Sequence, residues 1–201
     1  MRCVRGLPLS GGDAPALVYR VKARKYNALS PPRRTPQPGD PTSTMTRLSL
    51  IALLAWLSVC FVVATLAAMV TDPGEWYAQL DKPAWTPPDW LFAPAWTVLY
   101  TLMGVSAWMI WERRLQEPLA WPALLLFLGQ LVLNGLWSWF FFGQHAIVAA
   151  FVDILLLWTA LLATLLLFLR VRRPAGLLLV PYLLWVTYAV ALNGAIVVLN
   201  A

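Results

Sequence analysis

Five runs of apolar residues, each about 20 residues long, constrain this chain more than any other feature. They cover Leu48–Val70, Ala93–Trp111, Leu119–Phe142, Ala146–Leu169 and Ala175–Leu199. About 20 residues of helix cross the ~30 Å hydrocarbon layer of a bilayer. Inside that layer an unpaired backbone N–H or C=O is too costly to leave exposed, which favours helices that satisfy their own backbone. None of the runs shows the apolar–polar alternation of a membrane barrel. The sequence therefore predicts an all-α membrane protein, a five-transmembrane-helix bundle. Composition agrees, because the chain is 60% hydrophobic and only 12% charged, against about 25% charged in soluble proteins.

The net charge of +6 resembles a nucleic-acid footprint until its location is considered. Residues 1–44 hold eight Lys/Arg and two Asp, whereas residues 45–201 hold seven of each sign. The membrane body is neutral, and no nucleic-acid-binding motif is present. Residues 1–44, which include Pro31-Pro32-Arg33-Arg34, form a basic, Pro-rich segment expected to be disordered, or to precede a true start at Met45. Residues 45–201 form the membrane domain. Cys3 and Cys60 give neither a disulfide framework nor a metal-ligand spacing, and no metal site is expected.

The connections imply a compact bundle. Only Gly143-Gln144-His145 joins the third run to the fourth, so those helices are antiparallel neighbours. The connection Thr71–Phe92 is long, carries Trp76, Trp85 and Trp90 with Pro73, Pro83, Pro87 and Pro88, and is expected to fold over the bundle as a lid. Arg47, Arg113, Arg114, Arg170, Arg172 and Arg173 fall on one side of the membrane. The lid, the short turn and the C-terminus fall on the other, and together hold one basic residue, Lys82. By the positive-inside rule the N-terminus is cytoplasmic and the C-terminus outside for a bacterial membrane.

Twelve tryptophans exceed what an interfacial belt needs. Trp76, Trp85, Trp90, Trp111 and Trp121 lie near run ends, where belt residues gather. Trp96, Trp137, Trp158 and Trp185 lie deeper. On the third run Gln130, Asn134, Trp137 and Phe141 recur at helical spacing and share a face, whereas Trp139 faces away, toward lipid or another subunit. Trp96, Tyr100 and Met103 form a stripe on the second run. Trp185, Ala189 and Asn193 cluster on the fifth, above a bend expected at Pro181. These three stripes occupy one level beneath the lid. Aromatic faces with a few amides suit a flat, mostly apolar ligand. Each amide alone fits equally well a simple interhelical hydrogen bond. Asp153 is the one acid inside a run, a candidate for proton coupling. Gly129 and Gly135 hint at close packing without a GxxxG spacing.

The segment Trp76-Tyr77-Ala78-Gln79-Leu80-Asp81-Lys82-Pro83-Ala84-Trp85-Thr86-Pro87-Pro88 resembles the lid of the TspO/MBR family, the tryptophan-rich sensory proteins and translocator proteins. So do Trp96 to Tyr100, Asn134-Gly135-Leu136-Trp137-Ser138 with Phe140-Phe141, and Pro181-Tyr182-Leu183-Leu184-Trp185 with Leu192-Asn193. The likeness spans about residues 48–200. It implies a five-helix receptor, commonly homodimeric, that binds porphyrins such as protoporphyrin IX, haem, sterols and benzodiazepine-type compounds, with no cofactor required. It implies porphyrin contact by Trp96 and Trp185, with Asn134, Trp137 and Ala189 lining the site. The Tyr and basic residue of the animal sterol motif are missing after Asn193, where Gly194-Ala195-Ile196 follow, which argues against sterol binding by that route.

The expected ligand-binding set is therefore Trp96, Tyr100, Gln130, Asn134, Trp137, Phe141, Trp185, Ala189 and Asn193. Trp76, Lys82, Pro83, Trp85, Pro87 and Pro88 form the lid. The expected function is a porphyrin-binding receptor or transporter linked to tetrapyrrole regulation or stress. Two other readings are light-dependent porphyrin degradation through Trp96 and Trp185, and proton-coupled transport through Asp153.

Overall fold

In a computed structural model the described residues are 41–71 and 74–200, with side chains described from Arg47 onward. The chain divides into two units, Met1–Ser43 and Thr44–Ala201, and everything below concerns the second. The expectations for residues 1–40, a disordered tail or a start at Met45, lie outside the described residues.

Among the described residues there are seven α-helices: α1 (Pro41–Val70), α2 (Glu75–Gln79), α3 (Phe92–Trp111), α4 (Ala120–Ser138), α5 (Ile147–Val171), α6 (Arg173–Leu178) and α7 (Val180–Asn200). A 3-10 turn, Asp89–Leu91, leads into α3, and a π turn, Trp139–Gly143, extends α4. Among the described residues, five segments are long and apolar enough to cross a bilayer: Arg47–Val70, Asp89–Trp111, Ala120–Gly143, Ile147–Val171 and Arg173–Asn200. They match the five predicted runs to within a few residues. With the family shown below, they make the chain a multi-pass integral membrane protein.

Sequence explains where these spans start and stop. The fifth is broken at Leu179, two residues before Pro181, whose ring removes an N–H and crowds the preceding turn. The bend expected there is thus a break. The third span widens at its lid end because Gln144 N–H bonds back to Trp139 O at 2.9 Å and Ala146 N–H to Phe140 O at 2.9 Å. The wider turn spreads Phe140, Phe141 and Phe142 to different sides. His145 closes the connection with φ 54°, a left-handed conformation uncommon outside glycine.

The core runs through α3, α4, α5 and α7. Leu99, Met103, Leu124, Phe127, Leu157, Leu161, Phe168 and Tyr182 are buried in it. At the end away from the lid, Trp56 meets Trp111 at 6.1 Å and Phe127 at 5.9 Å, and Phe127 stacks on Phe168 at 5.8 Å. Ser106 Oγ donates to Ala175 O at 2.7 Å, fastening α3 to α6. Close approach occurs at Gly104, where a Cβ would lie 3.1 Å from Leu57 Cα. Only Gly lets α1 come so near α3. The two glycines singled out from sequence behave differently. Gly135 would meet Val63 at an ordinary 3.4 Å, and Gly129 has nothing within 4 Å.

Helix α1 differs from the others. Only 6% of its most apolar window is buried inside the protein, against 33–39% for the other four spans. It is held at Gly104 and Trp56, and most of its remaining surface faces outward.

Candidate functional site: an aromatic cavity beneath the lid

The lid-side half of the bundle encloses a cavity of about 640 Å³, inside the range of about 300–1,000 Å³ typical of small-molecule sites. Its wall includes Trp96 and Tyr100 of α3, Asn134 and Trp137 of α4, Phe141 of the π turn, and Trp185, Ala189 and Asn193 of α7. The three helical stripes read from sequence therefore border one space. Gln130 does not border it. It is fully buried below the cavity, whereas Trp139, predicted to face away, is 43% exposed.

Trp96 and Trp185 meet at 6.3 Å with their rings 79° apart. They form a corner, not a parallel slot. Trp96 lies 5.5 Å from Tyr100 and 6.2 Å from Tyr182, and Trp185 touches Phe92 at 6.0 Å and Tyr188 at 6.3 Å. Trp137 stacks on Phe141 at 5.3 Å. Edge-to-face pairs of this kind favour a fixed ring arrangement by about 0.5–1.5 kcal/mol each beyond burial alone.

The amides have two different surroundings. Tyr100 hydroxyl donates to Asn134 Oδ1, Asn134 Nδ2 donates to Tyr182 hydroxyl at 2.8 Å, and Tyr182 hydroxyl donates to Gln130 Oε1 at 3.2 Å. This chain ties α3, α4 and α7 together as the cavity floor. Asn134 is already paired on both sides of its amide. Asn193 is 2% exposed, and neither its Oδ1 nor its Nδ2 has a hydrogen-bond partner. Trp137 Nε1 is also unpaired. A buried polar group left unpaired costs about 1–3 kcal/mol, so these atoms are the ones able to gain from a ligand's polar group.

Asp153 is 5% exposed with Oδ2 unpaired. It lies behind the cavity wall, while its neighbour one turn on, Leu157, borders the cavity. Trp158 is turned away as well, with Nε1 donating to Thr187 at 2.8 Å.

The lid is fixed at three places. Trp76 stacks on His145 at 4.1 Å and meets Phe141 at 5.6 Å. Tyr188 hydroxyl donates to Trp85 O at 2.8 Å. Asp81 N–H donates to Asn200 Oδ1 at 3.0 Å, and Asn200 Nδ2 donates to Asp81 O at 2.9 Å. Within the lid, Lys82 Nζ donates to the carbonyls of Tyr77, Ala78 and Leu80 and sits 4.5 Å from the Tyr77 ring centre. Thr86 N–H and Oγ1 both bond to Pro83 O, at 3.0 and 2.7 Å. Pro87 and Pro88 stiffen the run into the 3-10 turn. Of the six predicted lid residues, Trp76 and Trp85 contact the bundle and Lys82 and Pro83 bond within the lid, whereas Tyr77 and Asp89 are lid residues that reach the cavity. Burial and the nearby Asp89 and Tyr188 raise the Tyr77 hydroxyl above its ordinary 10.0.

Sequence reasoning missed the face of α1. Phe61, Ala64, Thr65, Ala68 and Thr71 border the cavity. A signal existed: Ala64, Ala68 and Thr71 are small residues at i, i+4 and i+7 in a run otherwise rich in Leu and Val.

Comparison with known proteins fixes the family. The sequence model of the TspO/MBR family matches residues 56–199. The chain belongs to the TspO/MBR family. It is 41% identical over 153 residues to the tryptophan-rich protein TspO of Chlorobaculum tepidum, covering 75% of this chain and 97% of the relative. The protein CrtK of Rhodobacter capsulatus is 39% identical over 150 residues, covering 75% and 94%. The translocator protein of Ovis aries is 42% identical over 121 residues, covering 59% and 71%. The family match includes every residue of the cavity wall from Phe61 to Ile196.

Proposed function

We propose that this family member is a membrane receptor or transporter for porphyrins, protoporphyrin IX and haem among them, and similar flat hydrophobic molecules. The observation that carries the reading is the corner of Trp96 and Trp185 inside a mostly apolar cavity. With the rings 79° apart, a flat ligand stacks on one indole and meets the edge of the other. The unpaired Asn193 amide and Trp137 Nε1 suit a polar substituent at the ligand's rim. The neutral membrane body suits a ligand drawn from the bilayer. Membership of a family that includes tryptophan-rich sensory and translocator proteins supports a role in tetrapyrrole sensing or stress. The charge pattern supports a cytoplasmic N-terminus, and the family resemblance supports a homodimer.

Titration of the purified protein with protoporphyrin IX is expected to quench tryptophan fluorescence saturably. Trp185→Phe should weaken binding by about three- to tenfold, the loss of roughly 0.5–1.5 kcal/mol of ring contact. Quenching that never saturates, or that is the same as the native protein's in both Trp96→Phe and Trp185→Phe, removes the proposal.

A further inference from the structure

The cavity wall is unevenly exposed. On α4, α5 and α7 its lining residues are buried or half-buried. The exposed lining residues of the spanning helices all lie on α1 and α3: Phe61, Thr65 and Ala68 on one side, Ala93 and Thr97 on the other. These five belong to two apolar membrane-spanning segments, and Phe61 and Thr65 also line a second, open groove along α1. By a rise of 1.5 Å per residue, Thr65 lies about 8 Å below the lid end of its helix.

The seam has the chemistry of a doorway in lipid. Its small side chains leave width. The threonines carry no free hydroxyl, because Thr65 Oγ1 bonds Phe61 O and Thr97 Oγ1 bonds Ala93 O, each at 2.8 Å. An apolar ligand passing between them strips no polar group of its partner. Phe61 is the leaf of the door. It lies 6.5 Å from Tyr100 at the cavity floor. It also lines a shallow outer groove with Ser58, Val62, Thr65 and Leu66. The groove and the cavity thus share Phe61 and Thr65.

Helix α1 is also fixed where a hinge belongs. The Gly104–Leu57 contact and the Trp56 ring pairs hold its lower half, whereas nearer the lid Val63 packs beside Gly135 and the small Ala64, Ala67 and Ala68 border the cavity. The lid, by contrast, is fastened through Trp76, Trp85 and Asp81. We infer that ligands enter and leave sideways from the bilayer, through a portal between α1 and α3 gated by Phe61, while the lid stays shut. This inference rests on the binding role proposed above, and adds the route.

Two staples test it, made with a reducible thiol cross-linker in a Cys3→Ser background, where buried Cys60 is out of reach. Thr65→Cys with Thr97→Cys closes the portal, and Asp81→Cys with Asn200→Cys fastens the lid. Protein in liposomes loaded with protoporphyrin IX is followed by stopped-flow quenching. The portal staple should slow association and dissociation together by about tenfold or more, with recovery on reduction, and the lid staple should leave both rates within about twofold. Phe61→Ala should speed both. A portal staple that leaves the rates within twofold overturns the route while binding stands. Absence of saturable binding in the unstapled protein overturns the binding role, and the route with it.

Discussion

The two ends of this bundle are built from the same helices and similar residues, yet one is solid and the other hollow. Away from the lid, Trp56, Trp111, Phe127 and Phe168 interlock, and Gly104 lets α1 close on α3. Beneath the lid, Trp96 braces Trp185 and Trp137 stacks on Phe141 around a space of about 640 Å³. Aromatic content does not separate the two ends. What separates them is whether α1 is drawn in. Where Gly104 faces Leu57 the helices touch, and nearer the lid the small Ala64, Ala68 and Thr71 border the same cavity as Trp96 and Tyr100. The polar atoms of the cavity and its floor differ among themselves: the Tyr100–Asn134–Tyr182–Gln130 chain is joined by three hydrogen bonds and leaves Gln130 Nε2 unpaired, whereas both polar atoms of the Asn193 amide, and Trp137 Nε1, have no partner.

Substitutions can break this comparison or sharpen it. The largest effect is expected from Phe127→Ala at the solid end, which should cost about 3–5 kcal/mol of stability in detergent denaturation and leave porphyrin affinity within error. A parallel loss of affinity would mean the two ends are not separable. Gly104→Ala should cost about 1–3 kcal/mol by pushing α1 off α3, because the added Cβ would lie 2.7 Å from Leu57 Cδ2, which can rotate, but also 3.1 Å from Leu57 Cα, which cannot; thermal unfolding of the purified protein measures it. Tyr182→Phe at the boundary leaves Asn134 Nδ2 without its acceptor and should destabilise by about 1 kcal/mol, with a smaller change in binding than Trp185→Phe.

The smallest effect concerns the lid. Docking holds Tyr77 above its ordinary 10.0, so the free lid ionises first as pH rises. The undocked form then binds fewer protons than the docked form, and the stability of docking falls with pH through that region. Below it the contribution is complete. Accessibility of a cysteine placed at Ala78 should therefore increase in alkaline buffer, and Tyr77→Phe should flatten the increase.

Much of the fold was legible because the bilayer imposes it. Residues that are apolar for about 20 positions have one inexpensive backbone solution in hydrocarbon. The break near Pro181 and the antiparallel pair around His145 were legible for similarly local reasons. The cavity was legible in part. Spacing placed Trp96, Asn134, Trp137, Trp185 and Asn193 on inward stripes, because a helix repeats every 3.6 residues whatever surrounds it. It could not tell Asn134 from Asn193, since both are amides at the same level and only their neighbours across the bundle decide which is paired. It could not assign Gln130 to the layer below the cavity, or pick Tyr77 and Asp89 as the lid residues that reach inside.

By itself, the sequence determined the five spans, the lid and the inward faces, which follow from periodicity and from the cost of an unpaired backbone in lipid. Only the tertiary structure decided that Trp96 and Trp185 stand 79° apart, that Asn193 is left without a partner, and that α1 touches α3 at Gly104 but borders the cavity nearer the lid. Those features depend on how neighbouring helices cross, and crossing is set by pairwise side-chain volumes that no single helix encodes.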